Sequence, residues 1–272
     1  MSQYKEIANK LGVEGYQFDL ASYFSQGWKL TLKSYGWLLL FGMIYCAIWA
    51  VSIFIVILGP IAHFFILGPV LQGGVIYFLH KKATTGESDF SMFFSGFKDI
   101  GRLTGLNILI WLMIFISVIP MFYSWLDMYG FDVSNGFTFS TSNPEDMKML
   151  KNHIANHGLV FFGGNLLSLI LVFCVATLSI FANQFVIIGR LSPVDAIKSS
   201  IQVVKKKIFS IFLFLVILGA INFAASLPFL LGLLLTLPIS FGATYAMFKN
   251  IVFSQISEED NLFLSEDDIL DA

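Results

Sequence analysis

The sequence predicts an all-α integral membrane protein, with six transmembrane helices and amphipathic interfacial helices arranged as three repeats of interfacial helix–span–span. Three observations carry that expectation. Only 12% of the 272 residues are charged and 57% are hydrophobic, whereas soluble domains carry roughly 25% charged residues. Residues 34–79 and 208–248 form runs of 46 and 41 residues without Asp, Glu, Lys or Arg. A short amphipathic stretch of recurring pattern precedes each pair of apolar segments. So few charges could not cover a water-facing surface of this size.

Residues 1–17 are expected as a cytoplasmic N-terminal segment, and residues 1–33 as a whole are polar and mixed in charge. They lack the apolar core and small-residue cleavage site of a secretory signal, so insertion falls to the first span. The membrane domain is expected over residues 18–252. A span needs about 20 apolar residues, so the run at 34–79 is divided at Gly59-Pro60 into spans 34–58 and 61–79. Pro69 then kinks the second. Single spans follow at 103–126 and 158–189; the latter is long enough to tilt, to extend beyond the core, or to start after Gly163-Gly164. The final run gives a hairpin that reverses near Ser226-Leu227-Pro228.

Orientation follows from the basic residues. With the N-terminus inside, the inner segments hold 14 of the 16 Lys and Arg; the outer loop, about residues 127–157, holds only Lys148 and Lys151. The positive-inside rule then places both termini in the cytoplasm, in a multi-pass inner-membrane protein.

The repeats are expected at about 18–82, 88–190 and 192–252. Their leading stretches read Phe24-Ser25-Gln26-Gly27-Trp28-Lys29, Phe93-Phe94-Ser95-Gly96-Phe97-Lys98 and, more loosely, Ile197-Lys198-Ser199-Ser200-Ile201-Gln202. Apolar residues fall at helical spacing in each, with Asp19, Ser88 and Ser192 as N-caps and Pro193 in a first turn. Such helices are expected to lie in the inner interface, with Trp28 and Phe97 beside their following spans. Gly73-Gly74 with Tyr77 and Lys81 matches Gly242 with Tyr245 and Lys249.

These motifs, with the Gly68-Pro69-x-x-x-Gly73-Gly74 run, resemble bacterial multi-pass membrane proteins of the YciC type and the membrane domain attached to some glycerophosphodiester phosphodiesterases. The resemblance covers roughly residues 18–252. It implies architecture and little chemistry, and nothing in the chain resembles a phosphodiesterase catalytic domain.

No acidic or basic residue lies within a span, which argues against ion-coupled transport. The intramembrane polar groups are Asn107, Asn165, Asn183, Gln184 and Asn222, read as interhelical hydrogen-bond formers or as a ligand site. His153 and His157, four apart in the outer loop, could share a helical face; without a further ligand they read as part of a solvated helix. His63 and His80 read as interfacial. Gly101-x-x-x-Gly105 could permit close helix approach. Lys205-Lys206-Lys207 suits anionic headgroups or ordinary anchoring. Cys46 and Cys174 read as packing residues.

The tail, residues 253–272, carries seven of the 18 acids. Leu262, Phe263, Leu264, Ile269 and Leu270 alternate with them, as a segment docking on a protein partner would require. The expected function is a non-enzymatic scaffold or accessory subunit of a membrane complex, with a binder or transporter of lipid or another amphiphile as the alternative. Membrane lipids are the expected partners, along with a protein engaged by the tail. No cofactor, metal or nucleic acid is expected.

Overall fold

The computed structural model describes residues 3–55, 57–87, 89–134, 144–227 and 232–255. All regular structure among them is helical. Helix α1 (Gln3–Glu14) and α2 (Leu20–Leu32) precede α3 (Tyr35–Phe54). A short α4 (Leu58–Ala62), a π-helical turn (His63–Leu67) and α5 (Gly68–Thr84) form one continuous rod. A 3₁₀ helix (Phe90–Asp99) leads into α6 (Ile100–Ser117) and α7 (Ile119–Ser134). Then come α8 (Pro144–Leu178), α9 (Ala182–Ile187), α10 (Pro193–Val204), α11 (Ile208–Ser226) and α12 (Leu233–Phe248), which ends in a second π-turn (Lys249–Phe253). The acidic tail with Leu262, Phe263, Leu264, Ile269 and Leu270 lies outside the described residues.

Among the described residues, five stretches are long and apolar enough to cross a bilayer: Tyr35–Phe54, Leu58–Thr84, Phe90–Asp127, Ala155–Ile187 and Pro193–Ser226. The protein is therefore an all-helical, multi-pass membrane protein. The expected sixth segment is helical for 16 residues in α12, short of the roughly 20 a perpendicular span needs.

The chain divides into two compact units, Met1–Leu109 with Thr177–Ala272, and Ile110–Ala176. In the first, the amphipathic helices pack chiefly on segments other than the spans that follow them. Helix α2 crosses α12, the 3₁₀ helix crosses α5, and α10 crosses α9. Each crossing is close because the recurring motif puts a small residue there. A Cβ on Gly27 would overlap the backbone of Gly242 and Ala243; one on Gly242 would stand 2.7 Å from the Gly27 carbonyl oxygen. A Cβ on Gly96 would overlap the Val70 carbonyl, and one on Gly74 the Phe93 carbonyl. Thr31 Oγ1 donates to the Pro238 carbonyl across the first crossing (3.2 Å). Trp28, 45% exposed, accordingly borders a cavity with α11 and α12 rather than lying along α3. At the second crossing, the buried Phe93 ring stacks between Phe41 and Phe78, with centroids 4.5 and 4.2 Å away. Such contacts hold membrane helices together by close packing, since lipid supplies no hydrophobic drive between them.

The third crossing uses Ser200 in place of glycine. Helix α8 stops at Leu178, and the broken turn is bridged by Ser200, whose hydroxyl donates to the Leu178 carbonyl (2.6 Å) and accepts from the Phe181 amide (3.2 Å). Helix α1 was not anticipated. It buries Ile7, Ala8 and Leu11 against α10 and is fixed by Lys5–Asp195 (2.9 Å). Both arginines of the chain address Asp99, which is only 7% exposed: Arg102 from the next turn and Arg190 at 3.8 Å.

Local expectations hold in part. Asp19 caps α2 and Ser192 caps α10 through its bond to the Asp195 amide. The residue capping the 3₁₀ helix is Asp89, which accepts from the Ser91 amide and hydroxyl; Ser88 lies outside the described residues. These bonds hold the Asp89 carboxyl below the usual carboxylate range. The first hairpin reverses after Phe54, before Gly59-Pro60, because a proline lacking an amide hydrogen fits the first turn of α4. Helix α8 runs through Gly163-Gly164 and extends well beyond them.

In the second unit, α7 lies against α8. Gly164 admits the Pro120 carbonyl, the Met121 amide donates to Ser168 Oγ (2.8 Å), and Asp127 meets His157 Nδ1 (2.8 Å). His157 is therefore engaged within the helix pair; the side chain of His153 lies outside the described residues. Gly101 has nothing within 4 Å of an added Cβ, whereas one on Gly105 would meet Pro193 Cγ at 3.4 Å, so only the second glycine of Gly101-x-x-x-Gly105 faces a neighbour. Cys46 and Cys174 are free and exposed on their helices, not packed inside.

Candidate functional site

The five intramembrane amides do not converge. Asn107 is bound to the consequences of Pro69. In the π-turn the Gly68 amide donates to the His63 carbonyl, five residues back. The next donor to the Phe64 carbonyl would be the amide of residue 69, but proline has none. The Asn107 Nδ2 from α6 donates to that carbonyl instead, at 2.8 Å. Asn165 joins α7 and α8 by accepting from Trp125 Nε1 (3.2 Å) and donating to the Phe161 carbonyl (2.7 Å). Asn222 joins α11 and α12, donating to Ser240 Oγ (2.8 Å) and the Leu218 carbonyl (2.9 Å). Gln184 is buried, its amide nitrogen within reach of the Ile180 (3.0 Å) and Phe181 (3.3 Å) carbonyls. Asn183 is half-buried beside it in α9. Asn107, Asn165 and Asn222 thus secure three separate helix junctions, while Gln184 serves the turn that precedes it.

A concave site lies elsewhere in the first unit. Helices α3, α5 and α12 enclose a cleft of about 290 Å³, bordered by Phe41, Gly42 and Tyr45, by Gln72, and by Leu234 and Pro238. Its walls form because Pro238 sits inside α12 while the crossings at Gly74 and Gly242 hold the neighbouring helices. The lining is apolar except for the Tyr45 hydroxyl, the Cys46 thiol and the Gln72 amide. Tyr45 is turned toward His63 Nε2 (3.1 Å), at the start of the π-turn; the other nitrogen of His63 is buried without a partner. Gln72 has no hydrogen-bond partner among the described residues. The amide can therefore hold one carbonyl or hydroxyl of a ligand whose remainder is hydrocarbon.

A second pocket, about 240 Å³, gathers Lys29 and Lys33 from α2, Lys82 from α5 and Lys249 after α12, over Tyr245. The Tyr245 hydroxyl is held by His80 Nδ1 (3.1 Å), so His80 and His63 both serve helix contacts. Lys205, Lys206 and Lys207, by contrast, are exposed and border neither pocket.

Sequence reasoning missed Gln72 and the lysine pocket. Gln72 is the only Gln, Asn or charged residue between Ser34 and Leu79, a signal that was available. Lys29 and Lys249 were already accounted for as membrane anchors, and only the α2–α12 crossing brings them together.

No curated protein and no solved structure matches the chain. A family model described as a domain of unknown function, DUF7847, matches residues 98–258. With more than half of its length covered, the chain belongs to the DUF7847 family.

Proposed function

We propose that this is a six-span inner-membrane protein, built from three helix–span–span repeats with both termini cytoplasmic, that binds a membrane lipid in the cleft between α3, α5 and α12. The cleft carries the reading. It is an apolar concavity with one unpartnered amide, set among membrane-spanning helices whose ordinary surroundings are acyl chains. Lipid is therefore the occupant at highest local concentration and of matching chemistry, and no catalytic step is assigned.

Three features support the repeats. Each amphipathic helix crosses a helix from the second half of another copy in cyclic order: α2 on α12, Phe90–Asp99 on α5, α10 on α9. Gly27, Gly96 and Ser200 occupy the same motif position at those crossings. The backbone also breaks at Ser34 and Lys207, with φ −133° and −132°, each seven residues past the crossing residue (27 to 34, 200 to 207). The basic ends support the orientation by the positive-inside rule. Cysteines placed at 148 and 206, in a chain lacking Cys46 and Cys174, test it: an impermeant reagent on intact cells should label 148 and spare 206.

The scaffold reading rests on the tail, whereas the cleft favours lipid, and one substitution separates them. An added Cβ at Gly42 meets only Leu234 Cδ2, at 3.9 Å, so Gly42→Leu directs its side chain into the cleft. Native mass spectrometry should find lipid retained by the wild type and lost from Gly42→Leu, with the thermal midpoint preserved. Equal retention, or none in either, would put the scaffold reading first.

A further inference from the structure

We infer that the lysine pocket beside Tyr245 is a binding site for a phosphate group, carried either by a phospholipid head or by a soluble anion. Its cations come from three elements far apart in sequence: Lys29 and Lys33, Lys82, and Lys249. The fold assembles them. The backbone contact of Gly27 with Gly242 and Ala243 brings the next turn of α2 to the end of α12, and Lys249 Nζ donates to the Ala83 carbonyl (3.3 Å), fixing the end of α12 to the end of α5.

The charge balance is one-sided. Among the described residues no carboxylate borders the pocket, and Lys29, Lys33 and Lys249 have no acidic partner within ion-pair distance. The remaining lining is Gln26, Leu30, Ala83, Tyr245 and Ala246. Four ammonium groups around one concavity repel one another, and each carries three donors. Lys249 spends one donor on the Ala83 carbonyl and Lys82 one on the Gly86 carbonyl (3.1 Å), so Lys29 and Lys33 offer the most open donors. A group with several anionic oxygens relieves the repulsion and accepts the remaining bonds, as phosphate does at lysine sites elsewhere.

Orientation alone does not account for this geometry. The positive-inside rule requires lysines on one side of the membrane, a condition Lys205–Lys207 meets while exposed and bordering neither the cleft nor the lysine pocket. It does not require side chains from α2, α5 and α12 to face a common cavity. The inference is independent of what fills the apolar cleft, which has different walls: only α5 and α12 serve both, through different residues.

The test uses the full-length protein in nanodiscs. In phosphatidylcholine alone, inorganic phosphate is added against chloride at equal ionic strength; in parallel, discs contain phosphatidic acid without free phosphate. Binding is read as a rise in the thermal midpoint and, for lipid, as retention by native mass spectrometry. A rise with phosphatidic acid alone assigns a lipid head, and a rise with free phosphate assigns a soluble ligand; either supports the site. Lys29→Gln with Lys249→Gln should weaken binding about thirtyfold, each lysine contributing near one factor of five. Lys33→Gln alone, a milder change, should weaken it about fivefold should the double variant not fold. Lys205→Gln with Lys206→Gln removes the same charge outside the pocket and should leave binding within about twofold. Equal losses in pocket and control variants, or no response in either arm, overturn the inference. Gly42→Leu should leave the phosphate response intact, so failure of the cleft and failure of the pocket are read separately.

Discussion

Replacing Asn107 by Leu tests the link between Pro69 and the π-turn. The substitution keeps most of the side-chain volume and removes the 2.8 Å bond to the Phe64 carbonyl. Neither helical donor in register replaces it: the Gly68 amide is committed to His63, and residue 69 has no amide hydrogen. Interhelical hydrogen bonds in membranes average about 0.6 kcal/mol with a maximum near 1.7, while an orphaned carbonyl costs about 1–3 kcal/mol. A cost of about 1.5 kcal/mol, near tenfold in the unfolding equilibrium, is therefore expected. Pro69→Ala should abolish most of it. The restored amide can close a π bond to Phe64, or convert the turn to α-helix and return the Gly68 amide to that carbonyl. Asn107→Leu in the Pro69→Ala background should then cost about 0.5 kcal/mol or less, within the scatter of additive pairs. Reversible unfolding in mixed detergent–SDS micelles, followed by helical circular dichroism, measures all four corners of the cycle. Equal costs of Asn107→Leu in the two backgrounds would refute the argument that proline creates the need for the asparagine.

Three further outcomes are expected. Gly74→Ala and Gly96→Ala force a Cβ into carbonyl backbone and should abolish or sharply reduce folded yield in detergent, whereas Gly101→Ala and Gly219→Ala, with open space around the new atom, should be neutral or stabilising by up to about 1 kcal/mol; similar yields for all four would show the crossings to be looser than described. Ser200→Ala leaves the Leu178 carbonyl and Phe181 amide unbridged and should lower stability by about 1–3 kcal/mol, measured in the same micelle titration. Burial raises the Tyr16 phenol above its ordinary value near 10, with the nearby Tyr23 adding to the effect; its hydroxyl donates to the Val203 carbonyl (3.1 Å). An acid whose folded value is raised stabilises fully below its unfolded value and loses that stabilisation as pH climbs toward the folded one. Stability should thus fall as pH rises above about 10, and Tyr16→Phe should flatten that limb; an unchanged slope would disprove the assignment.

The helices were legible because charge-free runs, Asp19 and Ser192-Pro193-Asp195 are local signals. The repeated Phe-x-x-Gly-aromatic-Lys motif was legible as a repeat, yet its glycine was unreadable as a crossing point. The partners of Gly27 are Gly242 and Ala243, and nothing local marks a contact of that reach. Asn107 belonged to the right chemical class, an interhelical donor, but its acceptor exists only because the chain adopts a π-turn before Pro69. Helix α1 could have been found: Ile7, Ala8 and Leu11 share a face, hidden by the polar average of the segment. Gln72 stood out in composition, whereas the lysine pocket did not, since each of its lysines already had a topological explanation.

The Thr31–Pro238 contact spans 207 positions in the chain, and this separation bears on how the protein is made. At 5–20 residues per second, a ribosome needs roughly 10–40 s to deliver the second half of that crossing after the first. Throughout that interval α2 has been synthesised without the surface it is shaped to meet. Its exposed Gly27 edge and the neighbouring aromatic residues must wait in the lipid interface or be shielded by the insertion machinery. The 3₁₀ helix and α10, by contrast, meet helices made just before them. Truncation anywhere before α12 should therefore harm the first amphipathic helix more than the later two, making the last helix the step that commits the whole domain.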